Sequence, residues 1–131
     1  MLHKRILIID DEDDIREVAS LALETSGDYE VVSADGGLAG LKAAGELKPD
    51  IILLDMMMAE LDGPSTFRLL RQFEVTRSIP VIFLTARIQA SDRKRLIELG
   101  ALGFIAKPFD PMRLAGDVAA IAGYARGSGV S

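Results

Sequence analysis

The stretch Ile51-Ile52-Leu53-Leu54-Asp55 limits what this chain can fold into more than any other. Four consecutive large apolar residues without alternation suit a strand buried on both faces, as at the centre of a parallel sheet. Asp55 ends that run abruptly. A carboxylate at the carboxyl end of a central parallel strand lies where open α/β sheets form their ligand crevice. A lone aspartate there would more simply stop the strand or cap the next turn. Here three other segments also end an apolar run in polar or charged residues, and that changes the reading.

Residues 5–9 are short, apolar and β-branched, and lead into Asp10-Asp11-Glu12-Asp13-Asp14. A helical stripe follows at Ile15, Val18, Ala19, Ala22 and Leu23. Asp13 or Asp14 is expected to cap that helix and Gly27 to stop it. Residues 29–34 read as a second strand. The spacing of Leu38, Leu41, Ala44 and Leu47 predicts an inward helix face over 36–47, with Gly40 and Gly45 weakening it by up to ~1 kcal/mol each. Lys48-Pro49-Asp50 turns the chain into the central strand. After Asp55, residues 56–64 are irregular and close on Gly63-Pro64.

A third helix is expected over 65–73, burying Phe67, Leu70 and Phe73. Residues 81–84 form another buried run, ending in Thr85-Ala86-Arg87. Residues 91–99 read as a polar-faced helix stopped by Gly100. Residues 103–106 make a last short strand before Lys107-Pro108-Phe109. Asp110-Pro111 is a strong helix start, an N-cap followed by proline at the first helical position. The final helix turns Leu114, Val118, Ile121 and Ala122 inward. The expected organisation is one domain over residues 1–126 and a flexible tail over 127–131.

Five strands alternate with five helices in this pattern. Parallel strands need helical crossovers, and right-handed crossovers put helices on both faces of the sheet. The expected fold is therefore a doubly wound α/β sandwich. Composition agrees: 131 residues at 49% hydrophobic and 27% charged suit one globular domain. A net charge of -5 argues against unassisted nucleic-acid binding. The absence of cysteine excludes disulfides, thiolate metal sites and cysteine nucleophiles. No apolar run approaches the ~20 residues of a membrane span, and the N-terminus does not read as a signal peptide. A cytoplasmic location is the expectation.

In such a sheet every strand points its carboxyl end the same way. Asp10-Asp11, Asp55, Thr85 and Lys107 therefore converge on one edge. Clustered carboxylates repel and raise one another's pKa unless a cation relieves them. Oxygen-only ligands suit a hard cation such as Mg²⁺, which uses one or two carboxylates and keeps several waters. The residues alone thus suggest a magnesium site holding a phosphate, with Lys107 and Thr85 as its other contacts.

Ile-Leu-Ile-Ile-Asp-Asp-Glu at 6–12, Asp-Met-Met-Met-x-x-x-Asp-Gly at 55–63, Leu-Thr-Ala at 84–86 and Gly-Phe-Ile-Ala-Lys-Pro-Phe at 103–109 resemble the receiver domain of two-component response regulators. The resemblance runs from Lys4 to about Tyr124, with all four motifs in register. It implies a flavodoxin-like sheet of order 2-1-3-4-5 with the site at the switch point between strands one and three. It implies that Asp55 accepts a phosphoryl group from a phosphohistidine on a sensor histidine kinase or phosphotransfer protein. Asp11 would bind Mg²⁺ (or Mn²⁺) directly, Asp10 through water, and Asp55 and the backbone carbonyl of Met57 would complete the protein ligands. Thr85 and Lys107 would contact the attached phosphoryl, and Phe104 would be the aromatic switch residue. The Lys107–Pro108 bond would be cis. The fourth helix, fifth strand and fifth helix would form the output face, where a downstream protein or a second copy docks.

Two departures stand out. The family often has proline at the position of Ala59. Met57 and Arg87 flank the path of an attacking water; an apolar Met57 cannot orient it, so slow self-dephosphorylation is expected. His3, the one histidine, is expected to be a solvated residue, so the phosphodonor is another molecule. Two other classes stay open: a magnesium-dependent phosphatase with an aspartate nucleophile, and an interaction module that never phosphorylates. The phosphatases resemble a strand-ending Asp-x-Asp, whereas Met57 stands at the second position here. Past Tyr124 no helix-turn-helix, cyclase or kinase pattern is readable, so the expectation is either a stand-alone receiver or one cut from a longer regulator or hybrid kinase.

Overall fold

Apolar runs that ignore the strand period need cover on both sides, and the architecture provides it. The computed structural model describes residues 3–86 and 88–124. Five strands, β1 (Lys4–Ile9), β2 (Tyr29–Ala34), β3 (Ile51–Asp55), β4 (Val81–Thr85) and β5 (Gly103–Ala106), form one parallel sheet of order β2-β1-β3-β4-β5. Five helices alternate with them: α1 (Asp13–Thr25), α2 (Gly37–Leu47), α3 (Gly63–Gln72), α4 (Ala90–Glu98) and α5 (Pro111–Ala122). This is the flavodoxin-like order that the sequence reading expected.

Alternate residues of each strand feed two separate cores. Ile6, Ile8, Ile51, Leu53, Ile82, Leu84 and Ile105 meet Ala19 and Leu23 of α1 and Leu114, Ala115 and Val118 of α5. Leu7, Ile9, Ile52, Leu54, Val81 and Phe83 meet Ala44 of α2, Phe67 and Leu70 of α3 and Leu96 of α4. Each fully buried aliphatic side chain contributes roughly 1.5–3 kcal/mol, so β1, β3 and β4 hold the sheet. Their carboxyl ends are correspondingly rigid.

The termini of the helices follow local chemistry, with differences from expectation. Asp110 accepts from the Met112 amide at 2.9 Å and Pro111 opens α5, as expected. Asp62 does the same for Ser65 at 2.8 Å, so α3 begins at Gly63 rather than at residue 65. Neither Asp13 nor Asp14 caps α1; the N-cap is Glu12, whose side chain makes no capping bond. Gly27 and Gly100 adopt φ of 83° and 109° and stop α1 and α4, as expected. Lys48 does so for α2, at φ 48°.

Three side chains expected inside are exposed: Val18 at 42%, Leu38 at 64% and Phe73 at 49%. For Leu38 the reason is close packing by its neighbours. A Cβ on Gly37 would overlap Thr66 and Leu61, and one on Gly40 would overlap Ile9, so α2 packs closely on α3 and its leading loop at Gly37 and on the sheet at Gly40. Phe73 falls beyond the last turn of α3, where the backbone becomes extended. The expected tail at 127–131 and Arg87 lie outside the described residues.

Candidate functional site

Parallel register brings the strand ends together. Ile9 sits beside Leu54, Asp55 beside Leu84 and Thr85 beside Ala106, so the residues at or just after those positions share one edge. Asp10 is fully buried there, Asp55 is 3% exposed and Thr85 6% exposed. Carboxylate oxygens of Asp10, Asp11 and Asp55 lie within 4.8 Å of one another. Gly63 lets the start of α3 pack against the end of β3: its amide donates to the Met56 carbonyl at 3.0 Å, and any Cβ there would strike the Asp55 carbonyl.

Lys107 reaches in from the end of β5. Its backbone amide donates to the Thr85 carbonyl at 2.9 Å, and the Lys107–Pro108 bond is cis. Its Nζ donates to Asp10 Oδ2 at 3.1 Å, Asp55 Oδ1 at 3.2 Å and Glu12 Oε1 at 3.1 Å. Burial alone would lower the lysine pKa. Hydrogen bonds donated to Glu12 and Asp10, with the charges of Asp10 and Asp55, outweigh that and raise it.

Asp55 is pulled the other way. Burial first, and then the Asp10 charge, push its carboxyl up to about 6, against the lowering effect of Lys107. Its Oδ1 accepts from Lys107 and, at 3.4 Å, from the Met57 amide, while its Oδ2 is buried with no hydrogen-bond partner. A buried anionic oxygen left without a partner carries a desolvation penalty of about 1–3 kcal/mol or more. Set between two other carboxylates, it calls for a cation, and an all-oxygen donor set fits a hard divalent ion such as Mg²⁺. Among the described residues, these three acids form the cluster able to hold a metal.

The remaining predicted residues fall around this centre. Asp11 is exposed, and its Oδ2 accepts from the Ala59 amide at 2.9 Å, a bond that a proline at 59 could not make. Met57 follows Asp55 with its side chain 80% exposed. Phe104 is half-buried one strand away, stacked on Phe83 at 5.9 Å with the Arg93 guanidinium over its ring at 4.6 Å. Glu12 is a partner of Lys107 that the sequence did not lead one to expect. It was visible only as one acid in a run of five, and the run itself is the signal that could have found it.

The response regulator receiver domain model matches residues 6–119. The "Alkaline phosphatase synthesis transcriptional regulatory protein PhoP" of Bacillus subtilis is 39% identical over 92% of this chain and 49% of its own length. The "Phosphate regulon transcriptional regulatory protein PhoB" of Escherichia coli K12 is 38% identical over 92% of this chain and 52% of its own length. The chain thus spans about half the length of these curated relatives. Among solved structures, the chemotaxis protein CheY4 of Vibrio cholerae superposes with a TM-score of 0.84 at 27% identity, covering 91% of this chain and 98% of that one. Four strand ends bearing acid, hydroxyl and amine groups, on a sheet of this order and with these relatives, place the chain in the family of response regulator receiver domains, the regulatory domains of two-component systems.

Proposed function

We propose that this domain is a phosphorylation-activated switch whose phosphoacceptor is Asp55. The observation carrying the proposal is the Asp55 carboxylate itself. One oxygen is held by Lys107 and the other is buried without a partner, within 4.8 Å of Asp10 and Asp11 oxygens. Asp10, Asp11 and Asp55, with the Met57 carbonyl, would hold Mg²⁺, with Mn²⁺ an acceptable substitute. When bound, the ion supplies positive charge that keeps Asp55 ionised and neutralises the phosphoryl oxygens.

The chain's own residues do the rest. Asp55 attacks the phosphorus of a phosphohistidine on a sensor kinase or phosphotransfer protein. The P–N bond breaks as a P–O bond to Asp55 forms; the bond pair goes to the ring nitrogen, and the imidazole leaves neutral because its other nitrogen already carries a proton or the leaving nitrogen takes one from solvent. Lys107 pairs with the new phosphoryl charge, and Thr85 donates to a phosphoryl oxygen. A shift at Thr85, beside Ala106 in the register, repositions Phe104 on β5. The phosphoryl adds roughly 1.5–2 negative charges, and the switch moves only as far as those contacts favour one conformer over the other.

The output is a changed surface on α4, β5 and α5, read by a downstream protein or a second copy of the chain. The domain is regulatory and catalyses only its own phosphorylation and dephosphorylation. A cytoplasmic site of action fits this role; no helix among the described residues is long and apolar enough to cross a membrane. The test is incubation with acetyl phosphate and Mg²⁺. We expect one base-labile, hydroxylamine-sensitive phosphoryl per chain, absent when Mg²⁺ is chelated and in Asp55→Asn. Labelling that survives Asp55→Asn, or steady turnover of a phosphate ester, overturns the assignment.

A further inference from the structure

A lysine ammonium has three N–H donors. In Lys107 the three meet three carboxylates, those of Asp10, Glu12 and Asp55. No donor is left for an incoming phosphoryl oxygen, so one existing bond must be surrendered when the group arrives. The three acids differ in what surrender entails. The Asp10 side chain is wholly buried, so water cannot take over its hydrogen bond to Lys107. Asp55 is the residue being modified. Glu12 is 61% exposed, so water can take over its hydrogen bond.

The local geometry of Glu12 is compatible with this contact and with no competing one in its own helix. It sits at the N-cap of α1, and its side chain makes no bond to the first turn of that helix. Its own amide donates to Asp10 Oδ1 at 2.9 Å, which points the residue back over the site. The side chain reaches instead to a lysine 95 residues away.

We infer that Glu12 is a positioning residue that acts through Lys107: it holds the ammonium in the resting state and competes with the phosphoryl group for it, so setting how readily the domain is switched. This rests on the role proposed for Lys107 above. Removing the Glu12 charge while keeping its shape therefore favours the phosphorylated conformer.

The experiment is a titration of the Mg²⁺-loaded protein with beryllofluoride, a non-covalent phosphoryl mimic, followed by NMR in wild type, Glu12→Gln, Glu12→Ala and Asp14→Asn. Asp14 is exposed in the same first turn, so its variant changes the net charge equally without touching Lys107. We expect three- to tenfold tighter binding in both Glu12 variants and less than a twofold change in Asp14→Asn. In chelated protein, the Lys107 ammonium protons should also exchange faster in Glu12→Gln than in wild type. Equal affinities in wild type and the Glu12 variants, or an equal gain in Asp14→Asn, overturn the inference and leave the phosphoacceptor assignment intact. A wild type that binds no beryllofluoride at all sinks both.

Discussion

Asp55 is poised for chemistry at some expense to the resting fold. With its carboxyl pushed up to about 6, the folded protein holds a proton that the unfolded chain, near 3.8, has released. Between those two values the native state binds more protons, so stability falls as pH rises. The contribution of this group is greatest below about pH 4 and is lost as pH passes 6, the reverse of an ordinary salt-bridged carboxylate. Asparagine at 55 has the same shape and no charge to desolvate. In chelator at pH 7, Asp55→Asn should therefore be more stable than wild type by roughly 1–3 kcal/mol. The advantage should vanish near pH 4, as read from denaturant midpoints at the two pH values. A wild type that equals or exceeds the variant at pH 7 would contradict the strain assigned to this carboxylate. Lys107 adds no slope in this range, because its raised pKa leaves it charged in both states.

At the scale of elements, α2 separates what a sequence can disclose from what it cannot. Its existence, its ends and Ala44 on its buried face were legible from residue spacing and the Lys48-Pro49 turn, but the glycines of that face were not. Hydropathy selects Leu38, whereas the helix is buried at Gly37, Gly40 and Ala44. Contact distance is the reason, since a glycine face lets the helix axis approach Ile9, and closeness leaves no periodic trace. The same limit explains Glu12, whose partner is remote in sequence, and Val18 on α1, whose stripe was drawn one residue too wide. By contrast, the strand-end residues were legible because parallel topology alone gathers them. Propensity and packing give opposite signs at the two interior glycines. A Cβ at Gly45 meets nothing within 4 Å, so Gly45→Ala should stabilise by roughly 0.5–1 kcal/mol. Gly40→Ala gains the same propensity but overlaps the fully buried Ile9, and should be net destabilising by about 1–3 kcal/mol. Thermal melts of the two variants read the difference in sign directly.

For the whole molecule, the acidic cluster belongs to no single element. Its residues come from the ends of β1 and β3, and the lysine that balances them follows β5, with β4 between. Such a site exists only when the central sheet is intact, so an ion that binds it binds the folded state alone. Linkage then makes Mg²⁺ a stabiliser of the entire domain by RT ln(1 + [Mg²⁺]/Kd), about 1.4 kcal/mol at a tenfold excess over Kd. For a fold of this size that corresponds to a rise in Tm of roughly 4–6 °C. Non-specific screening of the net charge of -5 would also raise Tm, so the comparison must be with NaCl at matched ionic strength. Asp55→Asn supplies the internal control. It starts from the higher Tm argued above, and without the anionic oxygen it should recover less than half of the Mg²⁺-dependent rise. Calorimetry across a magnesium series distinguishes the cases, because specific binding gives a shift logarithmic in [Mg²⁺] that the variant loses. An identical shift in both proteins would locate the effect in bulk charge, and the strand-end carboxylates would then hold no ion.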